Sequence, residues 1–174
     1  MMKGKLHTAA SRLAVLVLAT ILAASCGIYS FSGTSIQPDV HTITINYFDY
    51  TALKVNPSLS NDLTEALKTQ FRKMTRLEQV DMDGDLEIEG AVTGYDVSAS
   101  AVTANEVAAL NKLTVTVKVT FTNRKYPEDD LEQNFSAYSE YNSMESLESV
   151  EQTLCAEIVD KLIEDIFNAT VAQW

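Results

Sequence analysis

The clearest pattern in the chain lies between residues 113 and 121. There Leu113, Val115, Val117, Val119 and Phe121 alternate strictly with Thr114, Thr116, Lys118 and Thr120. A period of two is that of a strand with one buried face and one wet face. Leu86, Ile88, Gly90 and Val92 alternate with Glu87, Glu89, Ala91 and Thr93, predicting a second long strand that runs toward Val97. The β-branched alternation of Thr42-Ile43-Thr44-Ile45-Asn46-Tyr47-Phe48 predicts an earlier strand. A fourth is expected from Leu131 to Tyr141, with Phe135 and Tyr138 in it. Asp83-Gly84 and Asn123-Arg124-Lys125-Tyr126-Pro127 read as turns. Residues 98–110 have little period and read as an extended loop or a frayed strand end.

Two segments change to the helical period. Leu59, Leu63, Leu67, Phe71 and Met74 form one stripe, with Asn56-Pro57 ahead of them as cap and first-turn proline. Asp62 and Glu65 lie early and Lys68, Arg72, Lys73 and Arg76 late, as the helix dipole favours. Leu147, Val150, Leu154, Ile158, Leu162 and Ile166 make a second stripe behind a Ser143 cap. Cys155, Val159, Ile163 and Phe167 widen it enough for the helix to lie across a sheet. The order β-α-β-β-β-α predicts an α+β two-layer sandwich, with two helices packed on one face of a four-stranded mixed sheet. Leu63, Phe71, Val115, Val119, Leu154, Ile158 and Leu162 are expected in one core.

The beginning of the chain follows another rule. Lys3, Lys5 and Arg12 precede an apolar, acid-free run over residues 13–25, which ends in Ala23-Ala24-Ser25 and then Cys26. This is the layout of a secretory signal, and the run is shorter than the roughly 20 residues of a bilayer span. A cysteine directly after these small residues resembles a lipobox, whose thiol is diacylated before the signal is cut; Ala23 stands where leucine is commonest. Residues 1–25 are therefore expected to be a lipoprotein signal peptide, 26–40 a lipidated tether and 41–174 one α+β domain. No cofactor is expected beyond the covalent diacylglycerol and acyl lipid on Cys26.

Charge narrows the partners. Removing residues 1–25 takes three of the thirteen lysines and arginines and none of the twenty-four acids, so the net charge moves from −11 to −14. Such a body repels nucleic acid and anionic membrane surfaces, and an anionic ligand must be met by a local basic cluster. With Cys26 acylated, Cys155 has no disulfide partner and reads as a small core hydrophobe.

Catalytic signals are weak. The one histidine after the signal, His41, sits at a strand start and reads as solvated. There is no Gly-x-Ser-x-Gly, no glycine-rich phosphate loop and no paired Cys or His ligands. Asp81-Met82-Asp83-Gly84-Asp85 hints at a calcium loop, but its glycine falls too early and Val92 stands at position twelve, so a solvated turn is expected. Glu87 and Glu89 share the wet face of their strand. No catalytic and no metal-binding residue is expected. The basic candidates for an anionic ligand are Arg124 and Lys125 at a hairpin tip, with Lys118 and Lys112 back along the strand. A solvated turn is the alternative there. Lys68, Arg72 and Arg76 along one helix edge are a weaker candidate, dipole complementation being the alternative.

Five stretches together resemble the lipopolysaccharide-assembly lipoproteins of the LptE family, in their Bacteroidetes-like form. They are Cys26-Gly27-Ile28-Tyr29-Ser30-Phe31-Ser32-Gly33, Val55-Asn56-Pro57-Ser58-Leu59-Ser60, Asn111-Lys112-Leu113-Thr114-Val115 with its continuation to Asn123, Phe135-Ser136-Ala137-Tyr138, and Glu164-Asp165-Ile166-Phe167-Asn168 through Trp174. The resemblance implies a non-catalytic lipoprotein anchored in the outer membrane and facing the periplasm. It would plug and help assemble an LptD-like barrel and assist delivery of lipopolysaccharide or lipooligosaccharide, with Arg124, Lys125, Lys118 and Lys112 as the candidate lipopolysaccharide or barrel contact and Lys68, Arg72 and Arg76 as the weaker one. Gly27 after the cysteine fits outer-membrane sorting. Two other readings stay open from the residues alone: a pilot or accessory subunit of another outer-membrane secretion machine, and a lipid-anchored periplasmic hydrolase.

Overall fold

The computed structural model describes residues 36–54, 56–100 and 110–172. The expected signal peptide, Cys26 and the first part of the tether lie outside the described residues. Among the described residues the fold has six strands and two helices: β1 (Thr42–Ile45), β2 (Asp49–Tyr50), α1 (Leu59–Met74), β3 (Glu78–Gln79), β4 (Leu86–Ala99), β5 (Leu110–Asn123), β6 (Leu131–Asn142) and α2 (Leu147–Val171). The sheet order is β3-β1-β4-β5-β6, with β2 also on β4. The β1–β3, β1–β4 and β2–β4 pairs are parallel, and β4–β5 and β5–β6 antiparallel. The expected α+β sandwich is therefore present, its four strands being β1, β4, β5 and β6. The two added strands are two residues each, too short to show a period.

The side-chain alternation decides the layers. On β5 the odd residues Leu113 to Phe121 are all buried, while Lys118 on the other face is exposed. On β6, Phe135, Ala137, Ser139 and Tyr141 face inward in the same phase. Both helices cover that inner face, where Phe71 of α1 meets Phe167 of α2 edge to face with centroids 5.1 Å apart. Leu63, Phe71, Val115, Val119, Leu154, Ile158 and Leu162 share one core.

Two irregularities adjust the sheet. In β4 the register slips between Val92 and Gly94, which leaves Thr93 unpaired and moves the inward phase from even to odd, so Tyr95 is buried. This β-bulge reconciles Leu86, Ile88 and Val92 with Tyr95 and Val97 on one face. The first predicted strand is broken: β1 ends at Ile45 and β2 resumes with one extra residue relative to β4. Phe48 lies in the break, fully buried, with its ring over Gly90.

Helix starts also differ from expectation. The cap of α1 is Ser58, and Asn56 precedes it, accepting the Ser58 backbone N–H at 3.2 Å. The cap of α2 is Ser146 rather than Ser143, because Asn142 holds residues 143–145 in a turn through the N–H groups of Met144 and Glu145. Met74, placed on the α1 stripe, is 52% exposed at the helix end.

Candidate functional site

The β5–β6 turn is built around Asn123, which is buried. Its side-chain oxygen accepts the backbone N–H groups of Lys125 and Tyr126 at 3.1 and 3.0 Å, and its own N–H donates to Asp130 at 2.7 Å. The turn is thereby aimed at the start of β4. Arg124 donates to Asp83 at 2.9 Å and to Glu87 at 2.6 Å, while Lys125 pairs with Asp85 at 3.1 Å and also reaches the Asp39 carbonyl. This basic tip is surrounded by the acids at the start of β4.

Asp85 is the hub of the arrangement. Its carboxylate accepts the backbone N–H groups of His41 at 2.8 Å and Thr42 at 3.2 Å. The N–H of His41, then Lys125 and Thr42, lower its pKa from 3.8 to about 2, against the opposing effect of burial. Asp83 takes the positive φ of 57° that the tight turn demands. Glu87 is likewise held below the usual carboxylate range, by Arg124 first and by Asn46. The segment suggestive of a calcium loop thus binds the molecule's own cations and backbone. Among the described residues no group of three or more His, Cys, Asp or Glu could hold a metal ion. His41 is exposed, and Glu87 and Glu89 lie on the open face of the sheet.

Residues 36–40, assigned to the tether, dock on the same end. Val40 is buried, Gln37 donates to Asp129 at 2.7 Å, and Asp39 accepts from the Tyr126 hydroxyl at 2.9 Å.

The remaining basic candidates are not brought together. Lys118 lies midway along β5, paired with Glu132 at 2.5 Å. Lys112 is at the far end of β5, roughly 40 Å from Arg124 at about 3.3 Å per residue. Lys68 pairs with Glu65 at 3.0 Å, and Arg72 donates to Gln79 at 3.2 Å, tying α1 to β3; Arg76 follows the helix end. At the far end of the sheet, Lys112 and Lys161 of α2 both approach the exposed Tyr138 ring, their ammonium nitrogens 5.0 and 5.9 Å from its centroid. Lys161 also donates to the Tyr138 carbonyl at 2.9 Å. Tyr138 and Lys161 were not expected as site residues. The one signal in the sequence was an aromatic at a wet-face position of β6.

The helix side of the molecule is acidic as well. A groove of about 760 Å³ between α1 and α2 is lined by Asp62, Glu65, Glu148, Glu151 and Asp160 among others. At its floor the Tyr95 hydroxyl donates to Glu151, and Asn56 donates to Glu151 at 3.1 Å and to the Cys155 sulfur at 3.6 Å. Burial raises the pKa of both the Tyr95 hydroxyl and the Cys155 thiol. Both groups are thereby held in the protonated, weakly nucleophilic form.

No helix among the described residues is long and apolar enough to cross a membrane. No curated protein matches the chain in sequence. Among solved structures, a minor lipoprotein from Acinetobacter baumannii is 15% identical, with 69% of this chain and 89% of that one covered at a TM-score of 0.44. A hypothetical protein from Chlamydia trachomatis is 5% identical over 75% and 98% of the two chains, TM-score 0.48. An uncharacterized lipoprotein B from Nitrosomonas europaea is 12% identical over 73% and 79%, TM-score 0.45. The model of the LptE lipopolysaccharide-assembly family matches residues 40–170, the whole of the sheet and nearly all of both helices, and the chain belongs to that family.

Proposed function

We propose that this chain is a non-catalytic lipoprotein of the outer membrane, anchored through Cys26 and facing the periplasm. In this reading it plugs and helps assemble an LptD-like barrel and assists delivery of lipopolysaccharide to the cell surface. The observation that carries the reading is the family match over residues 40–170. The signal-like run ending at Cys26 supports the anchor. The acidic groove between the helices repels phosphorylated lipid, so contact with it falls to individual lysines of the sheet. Arg124 and Lys125 would serve at the tether end as a latch, and Lys112 at the far end as a lipid contact.

Affinity capture of the tagged protein from envelope membranes tests it. The expected result is stoichiometric recovery of a large outer-membrane barrel, and depletion of the protein should reduce both folded barrel and surface lipopolysaccharide. Recovery of a different secretion machine in place of the barrel would overturn the assignment.

A further inference from the structure

β6 is an outer strand of the sheet: β5 pairs with one side of it, and among the described residues no strand pairs with the other. It keeps an unbroken register with β5 from Leu131 to Asn142. The Leu110 carbonyl of β5 turns to Ser100, at the end of β4, so the even residues of β5 bond β4 and the odd ones bond odd residues of β6. Lys161 of α2 agrees with this, since its ammonium reaches the Tyr138 carbonyl from outside the ladder. The N–H and C=O groups of Glu132, Asn134, Ser136, Tyr138 and Glu140 therefore point off the sheet. Their side chains are all exposed, whereas Thr114 and Thr116 beside them on β5 are half-buried.

Such a row of free donors and acceptors is a template for one more strand. Of the devices that close an edge, β6 lacks proline, a bulge and an inward-facing charge; Phe135, Ala137, Ser139 and Tyr141 face the core. Lys161 covers a single carbonyl. Charge then selects the strand. Glu132 and Glu140 flank the row on the open face, and Glu157 of α2 stands behind it, accepting the Ser139 hydroxyl at 2.5 Å. Lys118 offsets Glu132, but the hydroxyl bonds to Glu140 and Glu157 leave their charge in place. A second copy of β6 would bring the same acids to the same edge. A strand bearing lysine or arginine gains cross-strand pairs instead.

We propose that the free edge of β6 binds an extended, basic segment of a partner polypeptide by strand addition. The backbone of the segment bonds alternate residues from Glu132 to Glu140, and its lysines or arginines lie beside Glu132, Glu140 and Glu157. The Lys161 ammonium leaves the Tyr138 carbonyl to admit it. The edge is open to such a segment whichever outer-membrane machine the chain serves.

The test titrates three peptides as long as β6 into the mature protein: alternating lysine and threonine, alternating glutamate and threonine, and the lysine peptide with every backbone N–H methylated. The lysine peptide should bind and slow hydrogen exchange at the N–H groups of Glu132, Asn134, Ser136, Tyr138 and Glu140. The other two should bind at least about tenfold more weakly. Asn134→Pro removes a free N–H without touching the β5 ladder and should weaken the lysine peptide about tenfold. Glu132→Lys with Glu140→Lys leaves the backbone edge intact, so it keeps the test open if the proline variant misfolds, and it should move the preference to the glutamate peptide. Equal binding of the methylated peptide, or binding without protection of these N–H groups, would reduce the contact to charge attraction and overturn strand addition. Equal binding of the lysine and glutamate peptides by the wild type would overturn the basic partner. Protection of the same groups in a wild-type dimer without peptide would overturn it in favour of a second copy. No binding of the lysine peptide would overturn the proposal outright.

Discussion

Asp85 shows how one carboxylate can organise an end of a molecule. It satisfies the backbone N–H groups at the start of β1 and neutralises Lys125, so its pKa falls to about 2. A carboxylate with a depressed folded-state pKa contributes stability that is present above its unfolded value, near 4, and is lost as pH falls toward the folded value. Unfolding free energy should therefore decline between pH 4 and about 2. In Asp85→Asn that decline should be shallower by the contribution of this group, which denaturant titrations across the range will measure. Equal slopes in both proteins would remove Asp85 from the acid transition. Arg124 and Lys125 lead to a second expectation: replacing both by glutamate puts like charges against Asp83, Asp85 and Glu87. The melting temperature should drop, more at low salt than at high salt. An unchanged melting temperature would return the pair to the status of solvated residues. The two cations were legible in the sequence as a cluster. Their partners were not, because Asp39, Asp83, Asp85 and Glu87 lie 37 to 86 residues away.

The long strands and helices were read from period alone, and the reason is visible in β5, where every inward side chain from Leu113 to Phe121 is buried. What period could not give was the irregular part. The even-to-odd change from Val92 to Tyr95 marked a bulge, and the break before β2 had no signal beyond a large aromatic facing a glycine 42 positions later. An added Cβ at Gly90 would stand 2.6 Å from the Lys118 carbonyl oxygen and from the Phe48 ring. Because one of these neighbours is backbone, Gly90→Ala should cost about 1–3 kcal/mol, the range for overpacking. Calorimetric unfolding will show whether the strand pair yields instead. On α2, Ile158 is fully buried among both layers. Ile158→Ala should cost about 2–5 kcal/mol, and a loss under about 0.5 kcal/mol would mean that α2 is peripheral.

At the scale of the whole molecule the acids spread over both layers. They line the groove between the helices, and on the open sheet face Glu87, Glu89, Glu132 and Glu140 stand among Lys112, Lys118 and the hydroxyl side chains. Composition revealed the excess of acid but not its distribution, since Lys161 meets Tyr138 only when α2 packs behind β6. The anchor is tested at this level too. Cys26→Ala should leave unprocessed or soluble protein without the acyl mass increment, and an intact mass showing a free thiol at residue 26 of the wild-type protein would refute lipidation. The docking of residues 36–40 on the β5–β6 turn bears on where such an anchored body stands. Gln37, Asp39 and Val40 belong to the folded end, so the proposed anchor at Cys26 is separated from that end by no more than the chain to Ile36. The greatest span of that stretch is ~35 Å at about 3.5 Å per residue, against ~50 Å to residue 41. Acylation of Cys26 would hold the latch end within that span of the bilayer, and the length of β5 would set how far from the lipid surface the Tyr138 end can reach.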